Sequence, residues 1–380
     1  MSLILEKSGS ALTSIRQGLP PENLERNLRL DQLNQVLQPY ARSLTVFPLL
    51  IFCGDMSLYL WTLFCAIFAE DIWAQTLCAL LAGLAIGILF IVGHDSCHGS
   101  FLKHKVLNQI VGRLAFLPAL HPLSLQYVWH NRTHHRYTNY TGKDFLFAPL
   151  SKTEFDGLTP IPKALYRLCR SGLGHGIYYL YEIWWKKMIM YKRSELGGQR
   201  VHLWDRLLVM AYFCGFIAFL CALPSLAFRL GFPPLVLWKT LLFGFLIPYL
   251  MWNWIMGFLI YQHHTHPSVA WFDDINEWDY LHAQIEGTVH VRFPRVYNLV
   301  LHNIMEHTAH HAQTQVPLYR LKEAQAELER RSENRMIIVD WTWKRYFQIL
   351  KDCKLYDYRT HHWMNFQGIK TSPCTIEGFA

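Results

Sequence analysis

The chain has 380 residues, 52% of them hydrophobic and 15% aromatic, with a formal net charge of +8 and a mean hydropathy of +0.09. That is too apolar for an ordinary soluble enzyme and too polar for a bare membrane bundle, so a few spanning helices carrying a sizeable polar part are expected. Nine cysteines, odd in number, scattered and without a Cys-x-x-Cys pair, argue against a disulfide framework and fit a reducing compartment.

Residues 1–19 show no basic stretch followed by a cleavage site, so no signal peptide is expected. Pro20-Pro21-Glu22 reads as a helix start. Leu24, Leu28, Leu33 and Leu37 follow at roughly helical spacing, which predicts an amphipathic helix lying on a membrane. Four apolar stretches come next, at about 45–69, 72–93, 207–228 and 240–261. Each reaches the roughly 20 residues that cross a bilayer core. Glu70-Asp71 alone separates the first two, and a short link around Gly231-Phe232-Pro233-Pro234 separates the last two, which predicts two tight helical hairpins. Residues 112–128 are apolar but broken by Pro118 and Pro122, and read as a re-entrant or interfacial segment. Leu318–Arg331 reads as a charged surface helix. The expected organisation is a cytoplasmic N-terminal segment (1–43), a main domain (44–360) and a C-terminal tail (361–380).

Lys and Arg are distributed unevenly. Residues 94–206 hold sixteen, residues 262–380 thirteen and the first 43 residues five, while the short links between spans hold almost none. The positive-inside rule therefore places both termini and all the segments beyond the spans on the cytoplasmic side.

Those segments carry the chemistry. Of twenty histidines none precedes residue 94, and eight form three clusters: His94 with His98, His130 with His134 and His135, and His307 with His310 and His311. Spacings of three or four put two imidazoles on one helical face, close enough to share a metal. Adjacent histidines point about 100° apart, so one of each pair can serve a second metal. Eight imidazoles exceed the four ligands of a usual zinc site. A two-metal site built almost entirely of nitrogen is the economical reading.

The rest of the pattern carries a resemblance. The first box, Gly93-His94-Asp95-Ser96-Cys97-His98-Gly99, resembles that of the Δ12 group of membrane fatty acid desaturases. The second, WHNRTHHRYTN (129–139), resembles the bacterial form. QHHTHP (262–267) with Glu277-Trp278-Asp279-Tyr280 resembles the ω6 desaturases of plants and cyanobacteria. The likeness covers about residues 45–360. It implies an all-α integral membrane fold, with four transmembrane helices in two hairpins capped by a cytoplasmic helical domain that holds a histidine-rich di-iron site. It implies two Fe (Fe2+ when reduced), O2 as co-substrate and a fatty acyl substrate carried as acyl-lipid, acyl-CoA or acyl-ACP. The ω6-like tail favours Δ12/ω6-type insertion into an acyl-lipid. The same boxes serve acyl hydroxylases, acetylenases and epoxygenases. The family pattern adds a ninth ligand, for which the matching position is His290. Relatives carry an asparagine four residues before it, where this chain has Glu286.

The chemistry accounts for the ligands. Removing hydrogen from an unactivated methylene needs an oxidant that no side chain supplies, and imidazole suits iron. No H-P-G-G motif is present, so electrons are expected from a separate ferredoxin or cytochrome b5. The basic charge would attract anionic lipid and an acidic donor, with no nucleic acid partner implied. Ligating histidines usually donate their other N–H to an acceptor. Asp95, Asn131, Asp144, His302, Glu306 and Glu286 are the candidates for such support. His263, His264 and His266 are read as hydrogen-bonding support, His121 as having no metal role, and His104, His175, His202, His361 and His362 as surface or interfacial residues. Asp55 is unusual inside a span, where an ionisable group is a functional candidate or faces a neighbouring helix. Two other classes fit less well. A zinc hydrolase would carry H-E-x-x-H, which is absent. A metal transporter would hold its ligands near mid-membrane rather than at the helix ends.

Overall fold

The computed structural model describes residue 32 and residues 35–191, 200–331 and 335–376. The amphipathic helix expected after Pro20 lies almost entirely outside the described residues.

Among the described residues, four helices are long and apolar enough to cross a membrane: α1 (Val46–Phe68), α2 (Ile72–His98), α5 (Arg200–Arg229) and α6 (Leu237–His264). They match the four apolar stretches, but α2, α5 and α6 run past them into polar sequence. The link between α1 and α2 is short because Asp71 caps α2 directly, its side chain accepting the Ala74 N–H at 2.8 Å. At the other end Gly99 takes a left-handed conformation (φ 75°) that only glycine adopts freely. The helix therefore carries both histidines of the first box to its last turn.

Helix α2 is the hub and packs against α1, α6 and α3 (Lys105–Phe116). Its approach to α6 depends on Gly83, where a Cβ would stand 2.6 Å from the Met251 Cβ and 2.7 Å from the Pro248 carbonyl. Helices α1 and α5 are peripheral and leave large apolar side chains exposed, among them Trp61 at 65% and Phe228 at 69%. Exposed apolar surface on this scale is of the kind that faces lipid or another protein.

The expected re-entrant segment is resolved into two pieces. Helix α3 ends at Phe116, a turn follows, and α4 (Leu123–Gln126) continues as a π-helical stretch, Tyr127–His134. Asp205, at the start of α5, ties these pieces together. It takes the Arg113 Nε–H at 2.8 Å and the Ser124 N–H at 2.9 Å. A second π-helical stretch, Tyr179–Ile189, packs against α6. The crossing just before it is close, since a Cβ on Gly257 would lie 2.1 Å from the His175 carbonyl.

The remaining polar part is mostly helical. Helix α7 (His307–Ala312) carries the third box, and α8 (Leu321–Arg331) falls where a charged surface helix was expected. Two small sheets depart from an all-helical architecture. In one, β1 (Val289–Arg292) pairs in parallel with β2 (Ile337–Asp340), His290 opposite Ile338. In the other, β3 (Leu355–Asp357) pairs antiparallel with β4 (His362–Met364). A continuous hydrophobic core runs from the spans into this part.

Candidate metal centre

The last turns of α2 and α6 meet the first π-helical stretch (Tyr127–His134) and α7, and nine histidines converge there in two groups. His94, His98, His130, His135 and His310 form one, and His134, His264, His307 and His311 the other; within each, the ring nitrogens lie within 4.8 Å of one another. Closest across elements are His94 to His130 at 2.6 Å, His310 to His135 at 3.2 Å, His134 to His311 at 3.3 Å and His307 to His264 at 3.0 Å, all between Nε2 atoms.

The adjacent pairs divide as their helical angle requires, 134 and 310 going to different groups from 135 and 311. The second box groups differently from the α-helical expectation. There the His135 N–H bonds the His130 carbonyl five residues back, at 3.0 Å. This π-type turn stacks residues i and i+5, so His130 shares a group with His135 rather than with His134.

The donor set fits transition metals. Burial, reinforced by the neighbouring imidazoles, holds His130, His135, His307, His310 and His311 well below the ordinary imidazole value. They are therefore neutral, the form that donates to a metal. His98 Nε2 is buried without a hydrogen-bond partner, an arrangement that is costly unless another acceptor of its lone pair is present. Calcium or magnesium would require oxygen ligands, and neither group contains a carboxylate.

Two residues orient these rings. The buried Asp144 carboxylate sits with both oxygens 3.0 Å from His134 Nδ1. It also accepts the Asn139 and Leu146 N–H groups, at 2.9 and 3.1 Å. His134 Nδ1 thus carries its proton, leaving Nε2 free to ligate. Gln284 does the same for His311, its Oε1 lying 2.9 Å from Nδ1, while its Nε2 donates to the His135 carbonyl at 3.0 Å. Gln284 was not among the expected residues, and no motif marks it.

The structure differs from expectation at the ninth position. His290 lies outside both groups and between two carboxylates, Glu306 at 2.6 Å from Nε2 and Glu329 at 2.6 Å from Nδ1. His264, expected only as support, stands in the second group instead. Its signal in the sequence was its place one residue inside the end of the fourth span's helix. The residue four before it is Ile260, an apolar side chain that lines the cavity. Glu286 pairs with His282 at 3.1 Å.

The other supporting candidates make different contacts. Asp95 accepts from Ser100 Oγ at 2.7 Å and from the Leu318 N–H at 3.1 Å. It thereby fastens α2 to the chain after the third box. Asn131 donates to the Cys97 carbonyl at 3.2 Å, Glu306 accepts from Asn298 as well as facing His290, and His302 pairs with Asp55 at 2.7 Å. That last bond answers the question raised by Asp55, which faces the loop before the third box. His263 stacks on His307 with ring centres 3.8 Å apart. His175, His202 and His361, expected as surface or interfacial residues, are buried; His175 Nε2 lies 2.9 Å from the Tyr346 hydroxyl.

An apolar cavity opens onto the metal groups. His94, His130, His134, His264 and His307 line one end, and Phe90, Tyr179, Ile183, Met256 and Leu259 line the rest.

Comparisons with known proteins identify the chain's relatives. Residues 71–343 match the family model described as fatty acid desaturase. The chain is 29% identical over 293 residues to an sn-1 oleoyl-lipid 12-desaturase of Picosynechococcus sp., covering 75% of this chain and 78% of that one. It is 30% identical over 291 residues to the sn-1 oleoyl-lipid 12-desaturase of Synechocystis sp., covering 73% and 76%. Against the chloroplastic omega-6 fatty acid desaturase of Glycine max it is 30% identical over 285 residues, covering 72% of this chain and 61% of that protein.

Proposed function

We propose that this chain, which belongs to the fatty acid desaturase family, inserts a Δ12/ω6-type double bond into the acyl chain of a membrane lipid, using O2 and two irons. The observation that carries the reading is the apolar cavity ending on two groups of buried imidazoles. It offers a place for a methylene chain, and away from the histidines its lining is mostly apolar and holds no charged side chain. The relatives named as oleoyl-lipid 12-desaturases and omega-6 desaturases support the lipid carrier and the position.

The nine clustered histidines would hold the irons, five on one and four on the other. Bound iron supplies the oxidising power, with O2 reduced to water as hydrogens leave adjacent methylenes. In balance, two C–H bonds break, one C=C bond forms, and O2 takes those two hydrogens plus two electrons and two protons to give two waters. The protein's own part is positional. Asp144 and Gln284 keep the Nε2 atoms of His134 and His311 directed inward. Phe90, Tyr179, Met256 and Leu259 hold the chain against the site and exclude water from it.

The irons' electrons come from a separate ferredoxin or cytochrome b5, a role supported by residues 94–206, where sixteen Lys and Arg outnumber seven Asp and Glu. The same charge distribution supports two helical hairpins with the polar domain and both termini in the cytoplasm. Expression in a host of known lipid composition, with mass-spectrometric location of any new double bond, tests the function. A Δ12 double bond in an oleoyl-lipid is expected. A hydroxylated chain in its place would refute the assignment of desaturation.

A further inference from the structure

Four aromatic rings close the cavity at the end away from the histidines. Phe90 and Tyr179 line it. His121 and Trp252 stand behind them, with Phe90 5.1 Å from His121 and 5.2 Å from Trp252 between ring centres, and Tyr179 5.2 Å from Trp252. Each supporting element reaches its last lining residue there. On α2 it is Phe90, one turn before His94. On α6 it is Met256, eight residues or about 12 Å before His264, with Trp252 one turn further on. On the second π-helical stretch it is Tyr179, while Met188 at the other end sits near the second histidine box.

Within this wall is a polar pair that packing alone does not require. Tyr179 and His121 are both 1% exposed. His121 Nδ1 lies 3.0 Å from the Ala119 carbonyl, so it carries the proton and donates. Nε2 is then an acceptor, and the Tyr179 hydroxyl donates to it at 3.1 Å. Burial pushes the His121 imidazole down to about 4 and keeps it neutral. The turn bearing His121 is itself strained, with Leu120 at φ 55°. Trp184, on the same stretch as Tyr179, holds that turn by donating to the Leu120 carbonyl at 2.9 Å. Two bonds thus pin one strained turn to one segment, and what they fix is the position of the Tyr179 ring.

We propose that Tyr179, tethered by His121, is the end wall of the acyl cavity and sets how much chain is accepted beyond the reacting carbons. The proposal rests on the desaturase reading above and names its length determinant. A tyrosine whose hydroxyl is tied behind the wall presents a flat apolar face at a fixed depth. A free phenylalanine would present the same face without the fixed depth.

The test supplies expressing cells with monounsaturated acyl chains of graded length and measures the fraction of each that is desaturated. Tyr179→Leu deepens the cavity and Tyr179→Trp shortens it. Their ratios of longer to shorter product should move in opposite directions, each by about tenfold, the lower end of what one methylene is worth in an apolar pocket. Ile183→Ala, on the side wall of the same stretch, should change turnover while keeping the ratio. Tyr179→Phe keeps the ring and removes only the bond to His121, so discrimination between neighbouring lengths should relax severalfold. Unchanged ratios in the Leu and Trp variants would overturn the proposal. If those two fail to accumulate, unaltered discrimination in Tyr179→Phe overturns it alone. A parent protein that desaturates no chain of any length refutes the underlying reading, and the end wall with it.

Discussion

Asp144→Asn is the sharpest probe of the candidate metal centre. The carboxylate is buried and saturated, taking three donors: His134 Nδ1–H, Asn139 N–H and Leu146 N–H. An amide of the same shape keeps one acceptor oxygen and turns its NH2 toward groups that are themselves donors. At least one donor is left unsatisfied, at about 1–3 kcal/mol for a buried group. The consequence for metal is larger than for the fold. Without a negative acceptor at Nδ1, His134 can protonate on Nε2 instead and withdraw its lone pair from the four-histidine group. Loss of such an orienting partner typically costs about 10–100-fold in affinity or activity. The assay is iron per chain in detergent-purified protein, alongside the melting temperature and lipid desaturation in cells. Iron should fall toward one per chain, with a modest drop in melting temperature. Asp144→Ala orphans all three donors and should melt lower still. An Asp144→Asn protein with the parent's iron content and turnover would refute this account of the site.

His264→Ala should lose metal from the four-histidine group and abolish turnover, whereas His290→Ala should retain the parent's iron content and show its defect in thermal stability; metal analysis of the two side by side decides between them. His175, outside the spans, is held down to about 3 from an ordinary 6.5 by burial. The unfolded chain therefore takes up a proton near pH 6.5 that the folded one refuses until much lower. Stability from this group is present above that value and is lost as pH falls from about 6.5 toward 3. Melting curves should show that loss, with a shallower slope in His175→Asn; equal slopes would show that the group plays no part. Reporter fusions at Lys187 and Ala380 should give a cytoplasmic signal, and one at Gly231–Pro234 the opposite; a reversed signal at Lys187 would overturn the orientation.

Much of this was legible in the residues alone. Apolar runs of bilayer length point to spanning or buried helices, so α1, α2, α5 and α6 were readable to within a turn or so at most ends. Clustering of eight of the chain's histidines declared a metal-binding centre before any contact was known. Each adjacent pair, 134–135 and 310–311, had to point two ways, because 100° of helical rotation leaves no alternative.

What the tertiary structure decided was the partnership of those residues. A local sequence does not choose between an i+4 and an i+5 backbone bond. Packing around the second box selected the i+5 bond and so paired His130 with His135. His264 and His290 are both histidines at plausible distances along the chain. Only the meeting of the last turns of α2 and α6 brought the first to the other clustered imidazoles, and only β1 set the second between Glu306 and Glu329. Of the six residues expected to accept a ligating imidazole's other N–H, Asp144 alone does so, while Gln284 reaches His311 from 27 residues away. Spacing along a helix is a property of the local backbone and can be counted. Contact between segments depends on how buried surfaces dock, and no count along one chain records it.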